Sequence, residues 1–156
     1  MIGLKAGLPL FLLAQLALSS DDVALVRGRE GALAAAIKTN DENVLLSLTD
    51  EDFHVSWSYG SAIRNVRTDV SRQEWIKGLG HLRIESYKVE TGSLQPAERP
   101  GTSRTPSSAY VRLSEFWILR SPQGRRIEKR FDTVDLWIER QGAWKLASRL
   151  CQSDPP

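Results

Sequence analysis

The stretch RRIEKRFDTVDLWIERQGAWKLASRLC, Arg125 to Cys151, decides the fold. Its first half alternates: Asp132, Val134, Leu136 and Ile138 share one face, and Phe131, Thr133, Asp135 and Trp137 share the other. A two-residue period rich in β-branched and aromatic residues marks a half-buried strand. Gln141-Gly142 makes a tight turn, after which Trp144, Leu146, Ser148 and Leu150 alternate with Lys145, Ala147, Arg149 and Cys151. These residues predict a long β-hairpin, and the rest of the chain reads as its cover.

Upstream, Ala109–Arg120 (AYVRLSEFWILR) is a further strand, with Val111, Leu113, Trp117 and Leu119 on one face. Glu115 shares that apolar face. Ser121-Pro122-Gln123-Gly124 turns the chain into the hairpin. Ahead of it, Ser93–Ser108 holds Pro96, Pro100, Gly101 and Pro106 and reads as a long loop. His81–Leu94 reads as a strand whose apolar residues Leu82, Ile84, Tyr87 and Val89 change parity after Ile84, which predicts a bulge.

The N-terminal half is helical. Asp21-Asp22 is expected to open a helix carrying Val26, Leu33 and Ile37 inward, with Leu25, Ala32 and Ala36 widening the stripe. Thr39 and Glu42 have capping-box spacing ahead of a second helix through Leu48. Phe53–Tyr59 is a short strand, Gly60-Ser61 a turn, and Ala62–Asp69 irregular. Ser71 and Glu74 form a capping box with Val70 and Trp75 as its hydrophobic staple, and Gly78 and Gly80 end that helix. Helices first and a four-stranded antiparallel meander later define an α+β chain. Curling the sheet around the first helix leaves a pocket at the open end.

Composition bounds the function. The 156 residues suit one domain; 41% are hydrophobic and 26% charged, as in ordinary globular proteins. A net charge of +2 with interspersed signs argues against nucleic acid as a partner. One cysteine and two histidines exclude an internal disulfide and leave no zinc spacing. Residues 1–19 are different: Lys5 precedes the apolar run Ala6–Leu18, and Ala17 and Ser19 are small. That pattern predicts a cleaved signal peptide, a periplasmic or secreted domain over 21–152, and no stable membrane span after cleavage. Losing Lys5 would lower the net charge from +2 to +1.

The order of elements, Asp52-Phe53, Tyr59-Gly60, Ser71–Trp75 and above all RFDTVDLWIERQGAWKLASR (Arg130–Arg149) resemble the nuclear transport factor 2-like, or SnoaL-like, superfamily. The resemblance is strongest to the branch called domain of unknown function 4440. It implies a cone-shaped α+β barrel, a curved antiparallel sheet wrapped around N-terminal helices, with a pocket and often a homodimer through the outer sheet face. It also implies either a small-molecule pocket or a non-catalytic interaction module. If the protein is an enzyme, the chemistry implied is a cofactor-independent acid–base isomerase, dehydratase or hydrolase. Such chemistry needs a carboxylate whose basicity is raised by desolvation.

Glu115 is the leading candidate acid, with Asp132 second. Asp132 and Asp135 lie on opposite faces of one strand, so only one of them can point inward. Trp57, Tyr59, Trp117 and Arg130 are the candidate ligand-binding residues for a small apolar or aromatic molecule. Each has a plainer reading. Arg130 and Asp132 share parity and can form a surface ion pair, and aromatics at strand period more often fill a core. No cofactor and no metal is expected.

Overall fold

A computed structural model describes residues 18–59, 66–97 and 108–153. The expected signal segment up to residue 17, the turn at Gly60-Ser61, the start of the irregular segment at 62–65 and the middle of the long loop at 98–107 lie outside the described residues.

Three helices, α1 (Ser20–Thr39), α2 (Glu42–Leu48) and α3 (Arg72–Gly80), pack on one six-stranded sheet. The strands are β1 (Thr49–Tyr59), β2 (Val66–Ser71), β3 (Arg83–Pro96), β4 (Ser108–Arg120), β5 (Arg126–Arg140) and β6 (Ala143–Ser153). Their spatial order is β2-β1-β6-β5-β4-β3. The meander β3–β6 is antiparallel, as its turns require, but β1 pairs with β6 in parallel. The sheet is therefore mixed rather than purely antiparallel. Strand β2 corrects the irregular reading of residues 66–69. Its polar residues Thr68 and Asp69 lie exposed on a sheet edge, where pairing with β1 substitutes for an apolar alternation. Strand β1 likewise begins at Thr49, four residues before Phe53.

Two helix caps differ from the sequence reading. Ser19, not Asp21-Asp22, caps α1: its hydroxyl accepts the Asp22 N–H at 3.1 Å, which puts both aspartates in the first turn, at the positive helix end. Asp41, not Thr39, caps α2 by accepting the Val44 N–H at 3.1 Å. Asn40 takes a left-handed conformation (φ 53°) that ends α1 one residue after Thr39. The Thr39 hydroxyl is left to donate to the Ala35 carbonyl. The third cap is as expected, with both halves of the Ser71–Glu74 capping box formed. The Ser71 hydroxyl and N–H donate to Glu74 and hold its carboxyl below the ordinary value. Gly28 and Gly31 face open space on α1, so neither serves close packing.

The core lies between the helices and the inner sheet face. Val26, Leu33 and Ile37 from α1 and Trp75, Ile76 and Leu79 from α3 meet Val111, Leu113, Trp137 and Leu146. The bulge expected in β3 is present between Ile84 and Ser86. A second, unexpected bulge decides the polarity of β6. Trp137 pairs with Leu146 and Leu136 with Ser148, so Ala147 has no opposite residue. Parity inverts there. Trp144 and Leu146 point inward, but past the bulge Arg149 and Cys151 do, while Leu150 is 43% exposed on the outer face.

Deleting Ala147 removes the extra residue and still leaves Ser148 opposite Leu136 and Arg149 opposite Asp135, so Arg149 is expected to stay inward. Replacing Arg149 by Met instead strands the buried carboxylates described below, at a cost of about 3–5 kcal/mol. Urea denaturation checks both, and a deletion variant destabilised as much as Arg149→Met would refute this account of the bulge.

Candidate functional site

The inner face of β5 runs, from the Gln141-Gly142 turn toward the Ser121–Arg125 turn, through Trp137, Asp135, Thr133, Phe131 and Lys129. The first three are buried, Phe131 is half-buried and Lys129 is exposed. The site follows this gradient, with a closed polar floor at one end and an aromatic rim at the other.

The floor is built around Arg149. Its Nε and Nη2 donate to the two oxygens of Asp135 at 2.8 and 2.5 Å, and Nη1 donates to Glu115 Oε1 at 2.8 Å. Glu115 also accepts from the Tyr87 hydroxyl and, on Oε2, from Thr133 Oγ1 at 3.0 Å. The Trp75 ring of α3 lies 5.9 Å from the guanidinium carbon and covers it. Exposure is 0% for Glu115 and Asp135 and 3% for Arg149, so the attraction operates at low local dielectric. Burial alone lowers the proton affinity of Arg149, but Asp135 and Glu115 outweigh that effect and hold the guanidinium above its ordinary value. Burial pushes the Tyr87 phenol well up, and it pushes the Cys151 thiol up as well. Neither group is poised to lose a proton near neutrality.

Helix α1 adds Glu30, one helical step along the stripe of Val26, Leu33 and Ile37. Its Oε1 accepts the Trp137 indole N–H at 2.6 Å, tying α1 to β5. Burial pushes its carboxyl well above the ordinary value, and the negative charge of Asp135 adds to the push. Glu30 is thus a carboxyl that holds its proton more tightly than in water, packed beside an ion pair.

The rim is apolar. Trp57 and Phe131 meet edge to face at 5.2 Å, and farther along toward the turn the cross-strand partners Ile84 and Leu119 are half-buried. Trp117 lies between rim and floor, its ring 4.4 Å from that of Tyr87 and only 5% exposed. Among the described residues its buried indole Nε1 has no hydrogen-bond partner. Leaving such a donor unmade costs about 1–3 kcal/mol.

The six sequence candidates therefore separate. Glu115 and Trp117 point into the interior, and Trp57 is half-buried at the rim. Tyr59 closes β1 by pairing with Val66 and Ser153, and its side chain lies outside the described residues. Asp132 and Arg130 lie on the outer face. The interior position that sequence reasoning offered to Asp132 belongs instead to Asp135, because Thr133, Asp135 and Trp137 form the buried set. Arg130 reaches Asp132 at 3.7 Å and stacks 5.5 Å from the centre of the Phe116 ring, with more than half of its side chain exposed. Asp132 also accepts from Ser114 at 3.0 Å. These two residues line separate outer grooves of about 390 and 510 Å³. Among the described residues, no group of three His, Cys, Asp or Glu side chains is placed to hold a metal ion.

Sequence reasoning missed Glu30, Arg149 and the donor role of Tyr87. Glu30 was findable, since it sits four residues after Val26 and seven before Ile37 on the buried stripe. Arg149 was not, because the Ala147 bulge that turns it inward leaves no sequence mark.

Comparison with protein-family models and with curated proteins finds no match. Solved structures do match. A nuclear transport factor 2-like protein from Cytophaga hutchinsonii superposes with a TM-score of 0.62 at 17% identity, over 87% of this chain and 99% of that one. A ketosteroid isomerase-like protein from Erwinia carotovora atroseptica gives 0.65 at 12% identity, over 88% and 100%. A nuclear transport factor 2-like protein of unknown function in nutrient uptake from Rhodospirillum rubrum gives 0.61 at 17%, over 82% and 97%. The fold is nuclear transport factor 2-like: N-terminal helices on a six-stranded, mostly antiparallel sheet.

The Glu30 carboxyl yields a pH test. The folded state keeps a proton that the unfolded chain releases above about 4.5. Its contribution to stability is complete below that value and is lost as pH rises through the raised folded value. Glu30→Gln keeps an acceptor for Trp137 without the titration. In urea titrations from pH 4.5 upward, wild type is expected to lose ground to Glu30→Gln by up to about 1.4 kcal/mol per pH unit. A stability difference that stays flat with pH would sink the assignment.

Proposed function

We propose that the protein binds a small aromatic or apolar molecule at the rim, with a hydrogen-bond acceptor of that molecule meeting Trp117 Nε1. The orphaned indole N–H carries this reading, since a buried donor without a partner is the feature a ligand acceptor would complete. Trp57, Phe131, Ile84 and Leu119 supply the apolar surroundings that such sites use. The floor supports binding more than turnover. Each of its charged groups is already held by another, and Glu115 in particular accepts three hydrogen bonds from Tyr87, Thr133 and Arg149. Membership of the domain of unknown function 4440 branch, supported by the run Arg130–Arg149, and export, supported by Lys5 with Ala6–Leu18, belong to the same proposal.

The test uses the five tryptophan indole signals of ¹⁵N-labelled protein, with Trp117 assigned through Trp117→Phe. Titration with 1-naphthamide is expected to shift the Trp117 and Trp57 indole signals and leave Trp137, locked on Glu30, in place. Shifts confined to outer-face amides such as those of Tyr110 and Leu150 would refute a rim site.

A second reading has its own observation. On the outer face Tyr110 (44% exposed) pairs with Leu136, and Leu150 (43%) pairs with Val134, an apolar strip between Arg112 and Asp132. Such a strip fits a second copy of the chain. If it is a dimer interface, Leu150→Glu is expected to convert a dimer to a monomer in sedimentation velocity. A wild type that sediments as a monomer at 100 µM, on the order of a weak interface's Kd, would exclude it.

A further inference from the structure

The rim carries a charge that the binding proposal leaves unused. Strand β5 pairs with β4 without a register break from Arg126 to Ile138, so its inner-face parity is unambiguous: Ile127, Lys129, Phe131, Thr133. Lys129 is the direct cross-strand partner of Trp117. Residues opposite one another on an antiparallel pair have Cβ atoms about 4.5–5.5 Å apart, within reach of a shared ligand. Of the inner-face residues at this end, Ile84, Trp117, Leu119, Ile127, Phe131 and Trp57 are uncharged; Lys129 is charged, and Glu115 lies directly opposite Phe131.

Its neighbours on the hairpin differ in this respect. Arg126 is paired with Glu128, Arg130 with Asp132 and Arg120 with Glu85, whereas Lys129 has no ion pair among the described residues. The Lys129 ammonium belongs to the residue directly opposite Trp117, whose buried N–H no described group accepts, so a positive charge and a directed donor come from neighbouring positions. A carboxylate has two acceptor oxygens and a negative charge, and it answers both. The opposing influence is Glu115, one inner-face position deeper on β4, but its charge is met by Arg149 and its oxygens are covered by Tyr87 and Thr133.

We infer that the rim site selects a monoanionic aromatic or apolar ligand, a carboxylate whose one oxygen accepts from Trp117 Nε1 while Lys129 neutralises its charge. This inference rests on the binding proposal above and narrows its ligand class.

The experiment compares 1-naphthoate with its uncharged counterpart 1-naphthamide by isothermal titration of the full chain at pH 7.5 and low salt. Lys129→Gln serves as the charge variant; the residue is exposed. Wild type is expected to bind the carboxylate at least about tenfold tighter than the amide, in the range charge-assisted hydrogen bonds produce. Lys129→Gln should abolish that preference, so that the two probes bind alike, and 0.5 M NaCl should reduce it in wild type. Equal affinity for the two probes, or a preference that survives in Lys129→Gln, overturns the anion selectivity but leaves the binding proposal standing. If neither probe binds at millimolar concentration, the binding proposal fails and the selectivity falls with it.

Discussion

A guanidinium buried at 3% exposure between two carboxylates governs this molecule. Taking Arg149 out of water costs several kcal/mol, and the same is true of Asp135 and Glu115. The cost is offset only because the geometry is complete: a two-pronged contact to Asp135, a third bond to Glu115, and Tyr87 and Thr133 filling the remaining positions. The consequence is an all-or-none arrangement. Removing Arg149 leaves two buried carboxylates without a counter-charge, so β4, β5 and β6 are held in one mutual register, with β3 joined through Tyr87. Tyr87, Glu115, Thr133, Asp135 and Arg149 each come from one of these four strands, or in one case share one, and the network crosses all of them.

This closed floor also defines what remains open to function. Its donors and acceptors are spent on one another, and Glu30 beside it, whose carboxyl burial pushes well above its ordinary value, anchors α1 through Trp137. Chemistry at the floor would require breaking pairs that stabilise the fold. Toward the Ser121–Arg125 turn the character changes within two residues of β5, from Thr133 to Phe131, and the polar network gives way to rings and aliphatic side chains. Trp117 stands at that boundary with its N–H unused. The division gives a rigid, self-satisfied base and an adaptable apolar rim, the arrangement that keeps a binding site pre-organised.

Much of this was legible in the sequence. Alternation over Ala109–Arg120 put Glu115 on an apolar face, the Ser71–Glu74 box placed α3, and the parity change after Ile84 announced the β3 bulge. Parity also stated that Asp132 and Asp135 face opposite ways, but it could not say which face is inner. The face containing Val134, Leu136 and Ile138 is the more apolar of the two and is nonetheless the outer one, because the inner face satisfies Thr133 and Asp135 through partners on other strands. Arg149 was invisible for a related reason. One extra residue at Ala147 exchanges the faces of Arg149 and Leu150, and a bulge of that kind is set by pairing with β5 rather than by local composition. Strand β2 was missed because an edge strand of polar residues has no alternation to read.

The most direct measurement is a crystal structure of the full chain with 1-naphthoate bound. The account predicts the ring against Phe131 and Trp57, a carboxylate oxygen within hydrogen-bonding distance of Trp117 Nε1, and the Asp135–Arg149–Glu115 contacts unchanged. Naphthoate lodged instead in an outer-face groove beside Arg112 and Asp132, with the Trp117 indole satisfied by a fixed water, would contradict it.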